Sequence, residues 1–251
     1  MSRIPLIAGN WKMHCTIAEA VSLAREVAKS ANGLKNRQVM IAPPATALAA
    51  VCEAVRDSSV LVAGQNVAWK NEGAYTGEIS PVMLRDVGAS MAIIGHSERR
   101  HIFGEDDAMI NQRMHGALAG GLIPILCVGE TLDEREDDQT WQVLEQQIVS
   151  GVEGIEHSGM EQVVIAYEPV WAIGTGETAS REQAQEAHYF IRDLVGKLYE
   201  KKLAEQIRIL YGGSVKPGNV DDLMQMPDVD GALVGGAALQ ADSFDRIIHF
   251  Q

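Results

Sequence analysis

The residues best equipped for chemistry stand at the ends of apolar runs. In YEPVWAIGTGET (167–178), Glu168 follows VVIAY and precedes Pro169, so its carboxylate sits where an extended segment must leave its sheet. Flanked by Tyr167, Val170 and Trp171, the carboxyl is expected to be partly desolvated, which raises its pKa toward the range useful to a general base. A solvated loop glutamate is the competing reading. The next residues weigh against it: Pro169 is stiff, VWAI is apolar, and Gly174 and Gly176 are conformationally free. That composition suits a lid over residues 169–178 that closes on a small ligand and expels water. GTGETA also fits the GxGxxA dinucleotide pattern, but that motif must follow its strand directly, and residues 169–173 intervene.

A second such end is IIGHSERR (93–100), where His96 closes the run and Ser97 and Glu98 open what reads as a helix. Backbone N–H groups at a helix start depress a histidine's pKa, so His96 is expected to be a neutral hydrogen-bond donor. A lone histidine is more often structural; a shared edge with Glu168 favours function. Lys12 in GNWKMH is the natural counter-charge to an anion, with Asn10 beside it to orient or polarise. YGGSV (211–215) and LVGGAAL (233–239) bring glycines, among them Gly235 and Gly236, whose amides can approach oxygen closely; Ser214 adds a donor. HSE matches half of a zinc-deaminase motif, yet PILCVGE supplies only Cys127 of its partner, and HExxH is missing. No metal and no cofactor are expected, and Cys127 reads as a core thiol.

Those ends need elements to carry them. Eight short apolar runs recur at 4–9, 38–42, 60–64, 91–95, 122–129, 163–167, 207–213 and 231–236. They do not alternate with polar residues, as expected of strands covered on both faces. Between most of them lie helical patterns. Ile17 to Lys29 is amphipathic, residues 131–152 read as one helix opening on a Thr131/Glu134 capping box, and 178–202 reads as another capped by Thr178 or Ser180. Alternating strands and helices give a parallel sheet, and eight repeats without a linker fit a closed (β/α)₈ barrel over 1–251 better than an open sheet. Such barrels work at the C-terminal ends of their strands. Asn10, Lys12, Gln65, Asn66, His96, Glu98, Glu130, Glu168, Gly212–Ser214 and Gly235–Gly236 would then share one rim.

Composition narrows the partners. A formal net charge of −13 argues against nucleic acid and anionic membranes. Cys15, Cys52 and Cys127 show no disulfide or zinc spacing, which suggests a reducing compartment. The first residues hold too short an apolar patch for a signal peptide, so a cytoplasmic protein is expected.

AGNWKMH, GHSERR, CVGE, AYEPVWAIGTG, YGGSV and DGALVGG occur in the order and spacing of the triosephosphate isomerase family, which the chain resembles over about residues 4–248. The resemblance implies a TIM barrel and the cofactor-free interconversion of dihydroxyacetone phosphate and glyceraldehyde 3-phosphate in glycolysis and gluconeogenesis. It implies Glu168 as base, His96 as electrophile, Lys12 as positive charge and Asn10 as assistant. Gly174, Ser214, Gly235 and Gly236 would hold phosphate, and Ser97, Glu98 and Cys127 would support the site. It further implies a homodimer in which loop 66–80, with Tyr75 and Thr76, enters a pocket on the partner near Asn10–Lys12 and His14. Glu177 departs from the family's frequent lysine at the lid's far hinge, and His14 and Cys15 bear on how tightly the loop docks. Two other readings remain: a barrel that only senses sugar phosphates, and an aldolase-type barrel using a Schiff-base lysine.

Overall fold

The computed structural model describes residues 3–174 and 177–251. Its eight strands are β1 (Leu6–Asn10), β2 (Gln38–Ala42), β3 (Leu61–Gly64), β4 (Met91–Ile94), β5 (Ile123–Val128), β6 (Val164–Tyr167), β7 (Arg208–Tyr211) and β8 (Gly231–Val234). All pair in parallel and in sequence order, and β8 closes back onto β1. Each apolar run predicted from sequence carries one strand, with β1 reaching one residue past its run to Asn10. The runs overshoot where glycine or a polar residue lets the chain leave the sheet, as at Gly129 after β5 and Gly212 after β7.

Why the runs lack alternation is visible in their packing. Leu6, Ala8, Met91, Ile93, Val164, Ala166 and Leu210 fill the barrel interior. Their strand neighbours Ile7, Ala92, Ile94, Ile165, Tyr167, Ile209 and Tyr211 face the surrounding helices. Both faces are therefore buried, and polar residues are confined to strand ends.

The helix Ile17–Ser30 starts at the Thr16/Glu19 capping box and buries Ala20, Leu23, Ala24 and Val27 against the barrel. The expected single helix over 131–152 is two, Leu132–Glu136 and Thr140–Val152. The break falls at Asp138, which adopts φ 56°, a left-handed conformation that short polar Asp tolerates. The predicted Thr131 cap is present, with Glu134 closing its box. After the lid, Ser180 rather than Thr178 caps the helix Arg181–Leu198 through a box with Gln183. Residues 201–202, expected at the end of this helix, begin a separate turn, Lys201–Ala204.

Register then fixes the working end. Val128 lies opposite Tyr167, and Tyr167 opposite Tyr211. Just beyond them, Glu168 N donates to Val128 O at 2.7 Å and Gly212 N to Tyr167 O at 2.7 Å. Glu168 is thus held between the ends of β5 and β7.

Candidate active site

Glu168 and His96, 72 positions apart by number, meet beyond the ends of β6 and β4. His96 Nε2 lies 3.0 Å from Glu168 Oε1, and Ser97 N donates to Glu168 Oε2 at 2.8 Å. Glu168 is only 2% exposed. His96 stands before the short helix Ser97–His101, and its Nδ1 accepts from Glu98 N at 3.2 Å. That bond needs a lone pair on Nδ1, so the ring proton sits on Nε2 and points at the carboxylate.

Two electrostatic expectations change. Burial pushes the Glu168 pKa up, as predicted, but His96, the Ser97 N–H and Lys12 outweigh it and hold the carboxyl below its ordinary value. For His96, burial and Lys12 oppose a charge, yet the carboxylates of Glu168 and Glu98 raise its pKa instead of depressing it. Sequence reading saw the apolar flanks and the helix start; it could not see that the two groups stabilise each other.

Lys12 has φ 50°, a conformation rare for a residue with a side chain, and neighbours hold it there. Asn10 Oδ1 accepts from Lys12 N at 3.0 Å, and Gln65 Nε2 donates to Lys12 O at 2.8 Å. The strained backbone carries Nζ to 2.7 Å from Glu98 Oε1. Asn10 and Glu98 are thereby both tied to the lysine's position.

A cavity of about 330 Å³ joins these residues to the glycine loops. Asn10, Lys12, His96 and Glu168 line one part, Ser214, Gly235 and Gly236 the other, and Gly174 approaches from the lid. A Cβ on Gly212 would come within 2.8 Å of Glu168 Cγ, and one on Gly213 within 2.3 Å of the Tyr211 hydroxyl. The loop therefore lies flat against Glu168 and Tyr211, where a side chain at either glycine would not fit. Ser97 contributes its backbone N–H. Cys127 is fully buried inside the barrel against Glu168, and burial raises its thiol pKa well above normal. Of the lid over 169–178, Thr175 and Gly176 lie outside the described residues. His14 and Thr76 are exposed, Tyr75 is 38% exposed, and none of the three lines this cavity.

Three groups of residues were missed or given no role by sequence reading. Fully buried Glu130 accepts from Tyr167 OH at 3.1 Å and from Trp171 Nε1 at 2.9 Å, with Arg135 Nη1 at 3.1 Å, so it ties the neighbour of Glu168 to the segment that follows Pro169. Its position after CVG was the only sequence signal. Buried Arg113 donates to Val67 O at 2.6 Å and pairs with Glu78 and Glu105, clamping both ends of loop 66–80. Nothing in the helical pattern around Arg113 distinguished it from a surface arginine. His188 lies buried behind Tyr167 and Tyr211.

Among the described residues, no group of three or more His, Cys, Asp or Glu side chains could hold a metal, and no helix is long and apolar enough to cross a membrane. A carboxylate and an imidazole facing one cavity, with a lysine and two glycine loops on its walls, define a barrel suited to acid–base chemistry on a small anion. The triosephosphate isomerase family model matches residues 5–251. Triosephosphate isomerase of Syntrophotalea carbinolica is 54% identical over 99% of both chains, and that of Chloroflexus aurantiacus is 51% identical over 99% of this chain and all of its own. The crystal structure of triosephosphate isomerase from Bartonella henselae matches with a TM-score of 0.89 at 38% identity, covering 98% of each chain. The chain belongs to the triosephosphate isomerase family.

Proposed function

We propose that this chain is a cofactor-independent isomerase interconverting dihydroxyacetone phosphate and D-glyceraldehyde 3-phosphate through an enediolate. Glu168 removes the proton from the carbon beside the carbonyl, and His96 Nε2–H donates to the carbonyl oxygen as negative charge develops on it. Glu168 then returns the proton to the neighbouring carbon. Lys12 supplies positive charge, Asn10 assists, and Ser214 with the backbone of Gly174, Gly235 and Gly236 meets the phosphate. Ser97, Glu98 and Cys127 support from behind.

The ligand-free electrostatics serve this role. Glu168 rests ionised on His96 and Ser97 N. A substrate that separates the carboxylate from those partners removes what holds its pKa down and leaves burial acting alone, so basicity rises when the proton must be taken. Without Glu168 beside it, His96 faces burial, Lys12 and a helix start, which favour the neutral ring, with Glu98 left as the one carboxylate opposing them. The 3.0 Å approach of Glu168 and His96 at one cavity carries this reading. A sensor barrel needs no such base. Against a Schiff-base enzyme, Lys12 is ion-paired with Glu98 and partly exposed rather than desolvated in an apolar pocket. Borohydride trapping with substrate should yield no adduct.

The barrel constitutes one domain, 1–251, acting in glycolysis and gluconeogenesis in the cytoplasm. It works as a homodimer through loop 66–80. The exposed tip over residues 70–77, carried on the Arg113 clamp, suits insertion beside His14 of a second copy. No nucleic-acid or membrane partner is proposed. A coupled assay for glyceraldehyde 3-phosphate should show turnover that Glu168→Gln lowers by about 10²–10⁴-fold or more. Near-normal turnover in that variant would overturn the assignment of the base, and a monomeric mass at working concentration would overturn the dimer.

A further inference from the structure

Behind the site, on the helix side of the barrel, three rings form a buried triangle. Tyr167 and His188 stand at 6.0 Å between centroids and 90°, His188 and Tyr211 at 6.3 Å and 35°, Tyr167 and Tyr211 at 6.5 Å and 56°. His188 comes from the helix Arg181–Leu198, which follows the lid; the tyrosines end β6 and β7. Each tyrosine touches working parts. Tyr167 immediately precedes Glu168, and its hydroxyl donates to Glu130, the acceptor of Trp171 in the lid. Tyr211 immediately precedes the Gly212–Gly213 loop. Its hydroxyl lies under Gly213 and faces the backbone of Ala179 at the lid's far end.

His188 is the group common to both. Its Nδ1 lies 3.1 Å from Asp228 O, so Nδ1 carries the proton and donates, while Nε2 is buried with no partner among the described residues. The ring is therefore tethered at one edge, and it meets the tyrosines by packing. Edge-on and tilted aromatic contacts at these separations favour particular ring orientations.

We infer that His188 is a positioning residue for the isomerisation, its tethered ring fixing Tyr167 and Tyr211 and thereby aligning the Glu168 strand end, the Gly212–Gly213 loop and both lid anchors. The inference rests on the proposed isomerase reading. It differs from a general core role in that the ring's contacts lead to the base and the phosphate loop at once.

Two substitutions separate ring from tether. His188→Asn keeps a donor near Asp228 O and loses the ring face. His188→Phe keeps a ring and loses only the tether, while Asp228 O retains Arg192 Nη2 at 3.1 Å. The Asn variant should lower kcat about tenfold and raise the inhibition constant of inorganic phosphate several-fold, since small misplacements of reacting groups carry large rate penalties. The Phe variant should restore both to within about twofold. Wild-type turnover in the same coupled assay establishes isomerisation first, so failure of that reading and failure of this one are distinct. A folded Asn variant with wild-type kcat and phosphate inhibition, differing only in Tm, overturns the inference, as does a Phe variant no better than Asn. If the Asn variant does not fold, the Phe variant decides: unchanged kinetics support the ring's role, and a tenfold loss of kcat rejects it.

Discussion

Buried carboxylates at the two ends of the barrel are held in different ways. At the N-terminal end, Asp230 precedes β8; its Oδ2 accepts from Arg192 Nη2 at 2.5 Å and Ile209 N at 2.9 Å, and its Oδ1 pairs with Arg3. Arg192 also meets Asp228 Oδ1 at 2.6 Å and the carbonyls of Ala204 and Ile207 at 2.6 and 3.1 Å. Planar guanidinium forks aimed at carboxylates fix both partners. At the C-terminal end, Glu168 rests on the His96 ring, one backbone N–H and a thiol, beside a cavity of about 330 Å³. A ligand can replace those contacts one at a time. The same chemical group is locked where its partners are guanidinium forks and free to change partners where it borders a cavity.

The sharpest way to break this comparison is to remove the charge at each end. Glu168→Gln should cost about 10²–10⁴-fold or more in kcat, with Tm changed little, because an amide still accepts from Ser97 N. Asp230→Asn should do the reverse, lowering stability by about 3–5 kcal/mol by leaving Arg192 short of a charge partner. Its kcat per folded molecule should stay near wild type. Chemical denaturation alongside the coupled assay reads both quantities, and a Glu168→Gln protein as unstable as Asp230→Asn would erase the distinction.

Much of this contrast was legible in the sequence at one end and not at the other. The barrel followed from eight unalternating runs, because strands buried on both faces leave that pattern in any chain that makes them. Asn10, Lys12, His96, Glu168 and the glycine loops could be placed on one rim, since each follows its run directly. Arg113, Arg192 and His188 could not, because within a helix a buried polar residue and a solvated one have the same spelling; only the partner's position distinguishes them. The pKa directions of Glu168 and His96 failed for the same reason, being set by a contact between residues distant in sequence. The helix break at Asp138 depends on one backbone angle that an acidic, polar stretch permits but does not announce.

A smaller effect sharpens the comparison through pH. Burial lowers the His188 pKa to about 4; Arg192 pushes the same way, while the backbone and charge of Asp228 oppose, and the neutral rings of Tyr167 and Tyr211 pack alongside. An unfolded histidine titrates near ~6.5, so as pH falls the unfolded chain takes up this proton first. The contribution is fully present above that value and is lost as pH falls toward about 4, to the extent of about 3 kcal/mol. His188→Phe should flatten this part of the stability curve between pH 6.5 and 4 relative to wild type. Denaturant midpoints across that range supply the test, and parallel curves for the two proteins would show that His188 does not enter the core neutral.

The smallest effect concerns where the lid rejoins the barrel. There Ser180 Oγ accepts from Gln183 N at 3.1 Å, and Gln183 Oε1 accepts from Ser180 N at 2.9 Å. Ser180→Ala removes the acceptor and should destabilise the protein by about 1 kcal/mol, as loss of a helix N-cap does. Because the helix Arg181–Leu198 is held farther along by its buried Ile191, Arg192 and Val195, the loss should stay in its first turn. Amide exchange should then quicken at residues 181–184 while those in β6 and β7 keep their protection, for single-bond local contacts fail locally. Uniformly faster exchange across both strands would mean that the lid's far end is coupled to the barrel as tightly as Asp230 is, and the contrast between the two ends would lose its basis.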